Sequence, residues 1–197
     1  MSRVQENISS DGRLGEIFFK YRDYSPIPLI LILLIVAEPT VLFASFGLSF
    51  IFLGEFLRLY SVSFIGPKSR TRTRTLGQKL IEDGPYGISR NPLYLANFFI
   101  CFGFACYSGK IWFVVVASFV FYVQYHYIIR FEEELLSREF PDTYFSYCER
   151  VPRLFPSALP DFEKLRMPEN FFLSLRTEKR TLSTICVVLV FLLIFNS

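Results

Sequence analysis

The chain has 197 residues, a net charge of +3, 24 Phe and 11 Tyr, and its mean hydropathy is positive. Nothing in this composition fits a disordered or fibrous chain, and the apolar surface exceeds what a small soluble core hides. Neither a GxGxxG run nor a P-loop occurs, which argues against the usual soluble nucleotide-binding designs.

Residues 1–25 read as a cytoplasmic polar arm carrying Arg3, Arg13, Lys20 and Arg22, without the apolar run and cleavage site of a signal peptide. From 27 to 54 the one charge is Glu38. That run is too long for one crossing of a core about 30 Å thick and suits a tight hairpin broken at Glu38-Pro39. Its second helix is expected to pass Glu55 and Arg58, three apart on one face near the cytoplasmic end, and to stop by Gly66-Pro67. The following "KSRTRTRTLGQKLIEDGPYGISRNP" alternates Arg and Thr with a period of two, which favours an extended segment.

Asn91-Pro92 starts the next helix, Pro standing where its missing N–H is harmless. Residues 93–109 and 111–129 form a second uncharged pair separated by Gly109-Lys110. The latter runs without an obvious stop into "YHYIIRFEEELLSREF", and the stripe Leu136, Phe140, Tyr144, Tyr147, Val151 continues it as an amphipathic helix until Pro152 and Pro156. A proline-punctuated cytoplasmic linker (157–180) precedes a fifth apolar block, 181–197. The expected fold is all-α and multi-pass: two helical hairpins in a membrane core at 26–156 plus a C-terminal helix, about five transmembrane helices in all.

Lys68, Arg70, Arg72, Arg74, Lys79 and Arg90 collect in the central loop, and more lie between 130 and 180, against Lys110 alone in the other connections. The positive-inside rule then puts the arm, the central loop and the segment after the fourth helix in the cytoplasm, as for a bacterial inner-membrane protein. A basic loop beside membrane helices reads as lipid-headgroup attraction rather than nucleic-acid binding. Cys101, Cys106, Cys148 and Cys186 form no CxxC pair and read as small hydrophobes, so no metal site is expected. His126, the single histidine, sits between Tyr125 and Tyr127 and reads as a packing residue.

The hairpin at 93–129 has a geometric consequence: the start of its first helix and the end of its second return to one membrane face. That juxtaposes "GPYGISRNPLY" (84–94) with "FEEELL" (131–136). Gly84, Tyr86, Arg90, Asn91, Pro92 and Tyr94, followed across the hairpin by Glu132, Glu133, Leu136, Phe140, Tyr144, Tyr147, Val151 and Pro152, resemble the paired motifs of integral-membrane isoprenylcysteine carboxyl methyltransferases and related phospholipid methyltransferases. The resemblance covers roughly residues 45–156.

It implies S-adenosylmethionine as cofactor, in a cytoplasmic pocket similar to Gln78, Leu80, Ile81, Tyr86, Asn91, Pro92, Tyr94 and Glu132. These residue types suit a ligand with a sulfonium, a zwitterionic end and a flat adenine: a carboxylate, amides, and tyrosine faces for cation–π attraction. Glu132, near lipid depth, requires a partner, and Arg90 is the nearest candidate. Where many relatives carry His this chain has Asn91, so no imidazole base stands there. The family's acceptor-binding arginine falls on Ile128; Arg130 lies about 200° further round an ideal helix, leaving Arg130, Arg150 and Arg153 as alternatives. Arg90, Arg130 and Arg153 are the residues expected to manage acidic groups in catalysis.

An anionic carboxylate or phosphate oxygen needs no general base, so Asn91 favours methyl transfer to such an oxygen on a lipid-like acceptor, for example an isoprenylcysteine or a lipid A phosphate. The alternatives are an N-methyltransferase acting on a phospholipid amine and a non-enzymatic scaffold binding anionic lipid.

Overall fold

The computed structural model describes residues 9–65, 80–156 and 171–195. Every regular element among them is helical: α1 (Ser10–Tyr21), α2 (Pro26–Val36), α3 (Val41–Ile65), a 3-10 turn at Gly84–Gly87, α4 (Pro92–Tyr107), α5 (Ile111–Glu139), α6 (Pro141–Arg150) and α7 (Phe171–Phe195). The basic run at 68–74, Gln78 and the stop expected at Gly66-Pro67 lie outside the described residues.

Both expected hairpins are present. Proline opens α2, which ends at Ala37 before Glu38-Pro39, and proline opens α4. The α4–α5 turn uses Gly109 at φ 70°, where a side chain would be strained. At their far ends the hairpins dock: Glu38 N–H donates to Ser108 O at 3.0 Å, and Lys110 Nζ reaches Glu38 Oε2 at 2.5 Å. The charge in the turn of the first hairpin thus meets the cation in the turn of the second.

The most extensive helix contact is α3 on α4. It is close because small residues face each other; a Cβ on Gly47 would lie 2.6 Å from Gly103 O, and one on Gly54 would lie 2.8 Å from Ala96 O. Leu33, Ala105, Phe113, Val188 and Leu192, from four helices, form the apolar core toward the hairpin turns.

α3 and α5 are each long and apolar enough to cross a bilayer. In their most apolar windows only 22% and 28% of residues are buried, which the core helix of a soluble protein would not show. Val41, Leu42, Phe52, Phe56, Ile111, Val115 and Phe119 project outward, more than half exposed. At 1.5 Å per residue, α2 is about 17 Å long and α4 about 24 Å, both short of a core about 30 Å thick; α7 has the length, with 25 residues, but among the described residues two helices, against about five expected, are both long and apolar enough to cross.

Three further differences from expectation have local causes. The polar arm holds α1, capped by Ser9, whose Oγ accepts from Gly12 N at 3.1 Å, and packed on α5. Its glycines conceal it from a propensity reading, yet a Cβ on Gly15 would lie 2.3 Å from Tyr127 O, so glycine is what allows this contact. The helix expected to run unbroken past 140 stops at Phe140, because the ring of Pro141 disfavours helical geometry in the residue before it. The fifth block begins at Phe171 rather than 181, its polar first turns belonging to the same helix.

Candidate functional site

The Asn91-Pro92 start of α4 and the last turns of α5 meet as the hairpin requires, and the chain after α6 closes over them. Arg90 N–H donates to Pro152 O at 2.9 Å, Ser89 Oγ to Leu154 O at 2.8 Å and Asn91 Nδ2 to Arg153 O at 2.9 Å. The asparagine amide therefore secures the closing Val-Pro segment against the helix start. Pro92 is fully buried beneath it.

Glu133, rather than Glu132, takes the arginines. Arg90 Nη1 lies 3.4 Å from Glu133 Oε1 and Arg153 Nη2 lies 2.5 Å from Oε2, so the expected Arg90–Glu132 pairing is corrected by one position. Burial works against the Arg90 charge, but Glu133, Cys148 and Tyr144 outweigh it and move the guanidinium above its ordinary value.

Glu132 faces the tyrosines. It accepts from the Tyr94 hydroxyl and acts electrostatically on Tyr86. Burial pushes the Tyr86 phenol well above its ordinary value, with Tyr147 and Glu132 reinforcing and Arg58 opposing. Among the described residues the Tyr86 hydroxyl is buried with no hydrogen-bond partner, although Tyr147 Oη donates to the Tyr86 carbonyl at 2.7 Å. A buried unsatisfied hydroxyl costs about 1–3 kcal/mol, so this group beside a carboxylate is one that a bound polar ligand would satisfy. A sulfonium with an amino-acid end meets that donor set.

The remaining expected residues are placed as follows. Leu80 packs on the Tyr144–Tyr147–Val151 cluster with Leu136 and Phe140, and Ile81 is half-buried beside it in the chain. Gln78 lies outside the described residues. Ile128 is fully buried against Tyr94. Arg130 turns away and pairs with Asp11 at the start of α1, while Arg150 pairs with Glu82 at 2.7 Å; neither joins the Tyr86–Tyr94–Glu132 group. His126 lies against the rings of Tyr122 and Tyr127, as its packing role requires. The four cysteines are free, and among the described residues no cluster of three His, Cys, Asp or Glu is arranged to hold a metal.

A second polar group, missed from sequence, lies in the helical bundle. Arg58 of α3 donates through Nε to Glu178 of α7 at 2.7 Å and through Nη1 to Asn97 Oδ1 of α4. Asn97 Nδ2 donates in turn to Tyr125 Oη of α5 at 3.2 Å, and the Tyr125 ring meets Tyr94 edge-on at 5.1 Å. The available signal was a charge in each of two apolar helices, which is costly unless paired.

Beside this group, α2, α4, α5 and α7 line a partly open cavity of about 240 Å³. Leu29, Leu33, Phe104, Phe113, Ile185 and Val188 give it apolar walls, and Ser25, Asn97, Gln124 and Tyr125 supply polar atoms. Gln124 Nε2 donates to Ser25 Oγ at 2.7 Å. A chamber this apolar, reaching polar groups beside Tyr94, has the form of a site for a hydrocarbon chain with a polar head.

The family described as phospholipid methyltransferase matches residues 42–143, just over half of the chain and both walls of the site. The chain is 32% identical over 99 residues to the nickel-cobalt-cadmium resistance protein NccN of Alcaligenes xylosoxydans xylosoxydans, covering 50% of this chain and 43% of that protein. It is 31% identical over 77 residues to the cobalt-zinc-cadmium resistance protein CzcN of Cupriavidus metallidurans, covering 39% and 35%. The chain thus spans less than half the length of these curated relatives. No solved structure matches it.

Proposed function

The chain belongs to the phospholipid methyltransferase family, and from that premise we propose that it transfers a methyl group from S-adenosylmethionine to an anionic oxygen of a lipid-like acceptor at the cytoplasmic membrane face. The observation that carries the reading is the convergence of Tyr86, Tyr94 and Glu132, with the Tyr86 hydroxyl buried and unpartnered. When bound, the cofactor supplies a methyl group on a cationic sulfur. Glu132 would balance that charge, Tyr86 would donate to or accept from the ligand's polar end, and the tyrosine faces would add cation–π attraction. Arg90 and Arg153, fixed by Glu133, hold the wall in place; Asn91 ties the closing segment to it.

An acceptor whose oxygen is already anionic needs no proton removed, which suits a site with Asn91 where a histidine base would otherwise stand. Positioning, and water exclusion by the closing segment, would supply much of the rate. The apolar cavity supports a lipid-like acceptor. In this reading two hairpins and α7 are all embedded, the shorter helices where the protein thins the bilayer, with the Lys- and Arg-rich face in the cytoplasm. Methylating an acidic head group removes a negative charge from the membrane surface, which gives the relatives' printed association with metal resistance a chemical route.

Purified protein incubated with methyl-labelled S-adenosylmethionine and a total lipid extract is expected to label a lipid whose mass rises by one methyl. An alkali-labile label indicates a carboxyl methyl ester; a stable one is then assigned by fragment masses to a methylated phosphate, which keeps the oxygen reading, or to a methylated phospholipid amine, which replaces it. No label in any lipid or prenyl-peptide fraction would sink the enzymatic reading and leave a lipid-binding scaffold.

A further inference from the structure

The chain Glu178–Arg58–Asn97–Tyr125–Tyr94 runs from α7 to the candidate cofactor group in unbroken contact. Its first link is a buried ion pair: the Glu178 side chain is wholly buried and that of Arg58 is 17% exposed. Its middle links, Asn97 and Tyr125, line the apolar cavity. α7 packs on α3 and α2 and, through Thr181, Thr184, Ile185 and Val188, forms one side of the same cavity. Thr181 and Ile185 lie about one and two turns beyond Glu178 on the same helix. The pair that fixes α7 to α3 therefore also fixes the cavity's side wall and its polar groups.

We propose that Glu178 is a positioning residue for the methyl acceptor: by holding the Arg58 guanidinium it sets Asn97 and Tyr125 against the acceptor's head group and keeps α7 closed along the side of the cavity that takes its hydrocarbon chain. This rests on the methyl-transfer reading above. A residue acting this way governs acceptor binding first: Asn97 and Tyr125 line the cavity, whereas the cofactor wall is reached only at the end of the chain, through the Tyr125–Tyr94 ring contact.

The test uses full-length protein in nanodiscs of synthetic phosphatidylcholine doped with a bacterial total lipid extract. Glu178→Gln is expected to raise the extract fraction giving half-maximal methyl labelling by about tenfold, with kcat and the affinity for S-adenosylhomocysteine within about twofold, the pattern of lost acceptor binding. Glu178→Asp should recover most of the loss. Since removing one partner of a buried pair leaves a stranded charge, the double variant Arg58→Gln/Glu178→Gln is the folded control and should show the same acceptor defect. An unchanged half-saturation, or S-adenosylhomocysteine affinity falling in step with it, overturns the proposal.

Native protein that neither labels lipid nor binds S-adenosylhomocysteine would instead sink the methyl-transfer reading. The clamp is then read directly by spin labels on Cys186 of α7 and on Val116→Cys of α5, with the other three cysteines replaced. Glu178→Gln should broaden their distance distribution, and an unaltered distribution would overturn the clamp too.

Discussion

Two polar assemblies stabilise this protein by different means. At the start of α4, Arg90, Glu133 and Arg153 form a partly exposed ion cluster, with side chains 16–37% exposed, joined to the chain after α6 by backbone hydrogen bonds. In the bundle, Arg58, Asn97, Tyr125 and Glu178 are sunk among apolar helices whose approach is set by Gly47, Gly54 and Gly103. The first depends on charge and responds to salt; the second depends on steric fit, and its buried pair is screened far less. Under the proposed function the two divide the labour, the cluster shaping the cofactor wall and the bundle the acceptor cavity.

The largest effect is expected in the bundle. Gly47→Val would push into Gly103 O and the Tyr107 backbone and should cost about 3 kcal/mol, the upper range for overpacking, measured as a fall in thermal midpoint in detergent. Next, Glu133→Gln strands two arginines at once; discounted for partial exposure, the loss should be about 2 kcal/mol. Raising salt toward 1 M should shrink the difference between Glu133→Gln and native protein while leaving that of Gly47→Val unchanged. Equal salt responses would erase the distinction between the two assemblies.

Smaller changes sharpen the account of the site. Tyr86→Phe removes a buried hydroxyl that has no partner, so the ligand-free protein should be unchanged or up to about 1 kcal/mol more stable, while S-adenosylhomocysteine binds several-fold more weakly. A variant that is less stable and binds normally would make Tyr86 an ordinary core residue. The smallest effect concerns pH. Burial, as the leading cause, holds the phenols of Tyr86, Tyr144 and Tyr147 above their ordinary value. Below about pH 10 both folded and unfolded chains keep these protons and no stability change arises from them. Above it the unfolded chain ionises first, so stability should fall as pH rises, and Tyr144→Phe should lessen that slope in alkaline thermal melts.

What was legible from sequence follows from how local each signal is. Asn91-Pro92, Glu132 and the Leu136–Val151 stripe carry their own spacing, and one hairpin sufficed to bring them together. The Arg90 partner was misplaced by one residue because neighbouring glutamates on a helix point about 100° apart, and sequence does not show which direction faces the cluster. Arg130 was expected near acidic ligands, but α1, hidden by its glycines, brings Asp11 to it. Arg58 and Glu178 are 120 residues apart, and each alone reads as an interfacial charge. Only the packing of α7 on α3 makes them a pair.

The central claim is that Glu132, among three consecutive glutamates, faces the cofactor. Glu134 accepts from Ser9 and Arg138, so it serves as the control. Calorimetric titration of S-adenosylhomocysteine into native protein, Glu132→Gln and Glu134→Gln should give one site in the native chain, a loss of about tenfold or more in Glu132→Gln, as for a charge-assisted contact of about 1.5–3 kcal/mol, and native affinity in Glu134→Gln. Equal weakening of both variants, or no binding to the native chain, would contradict it.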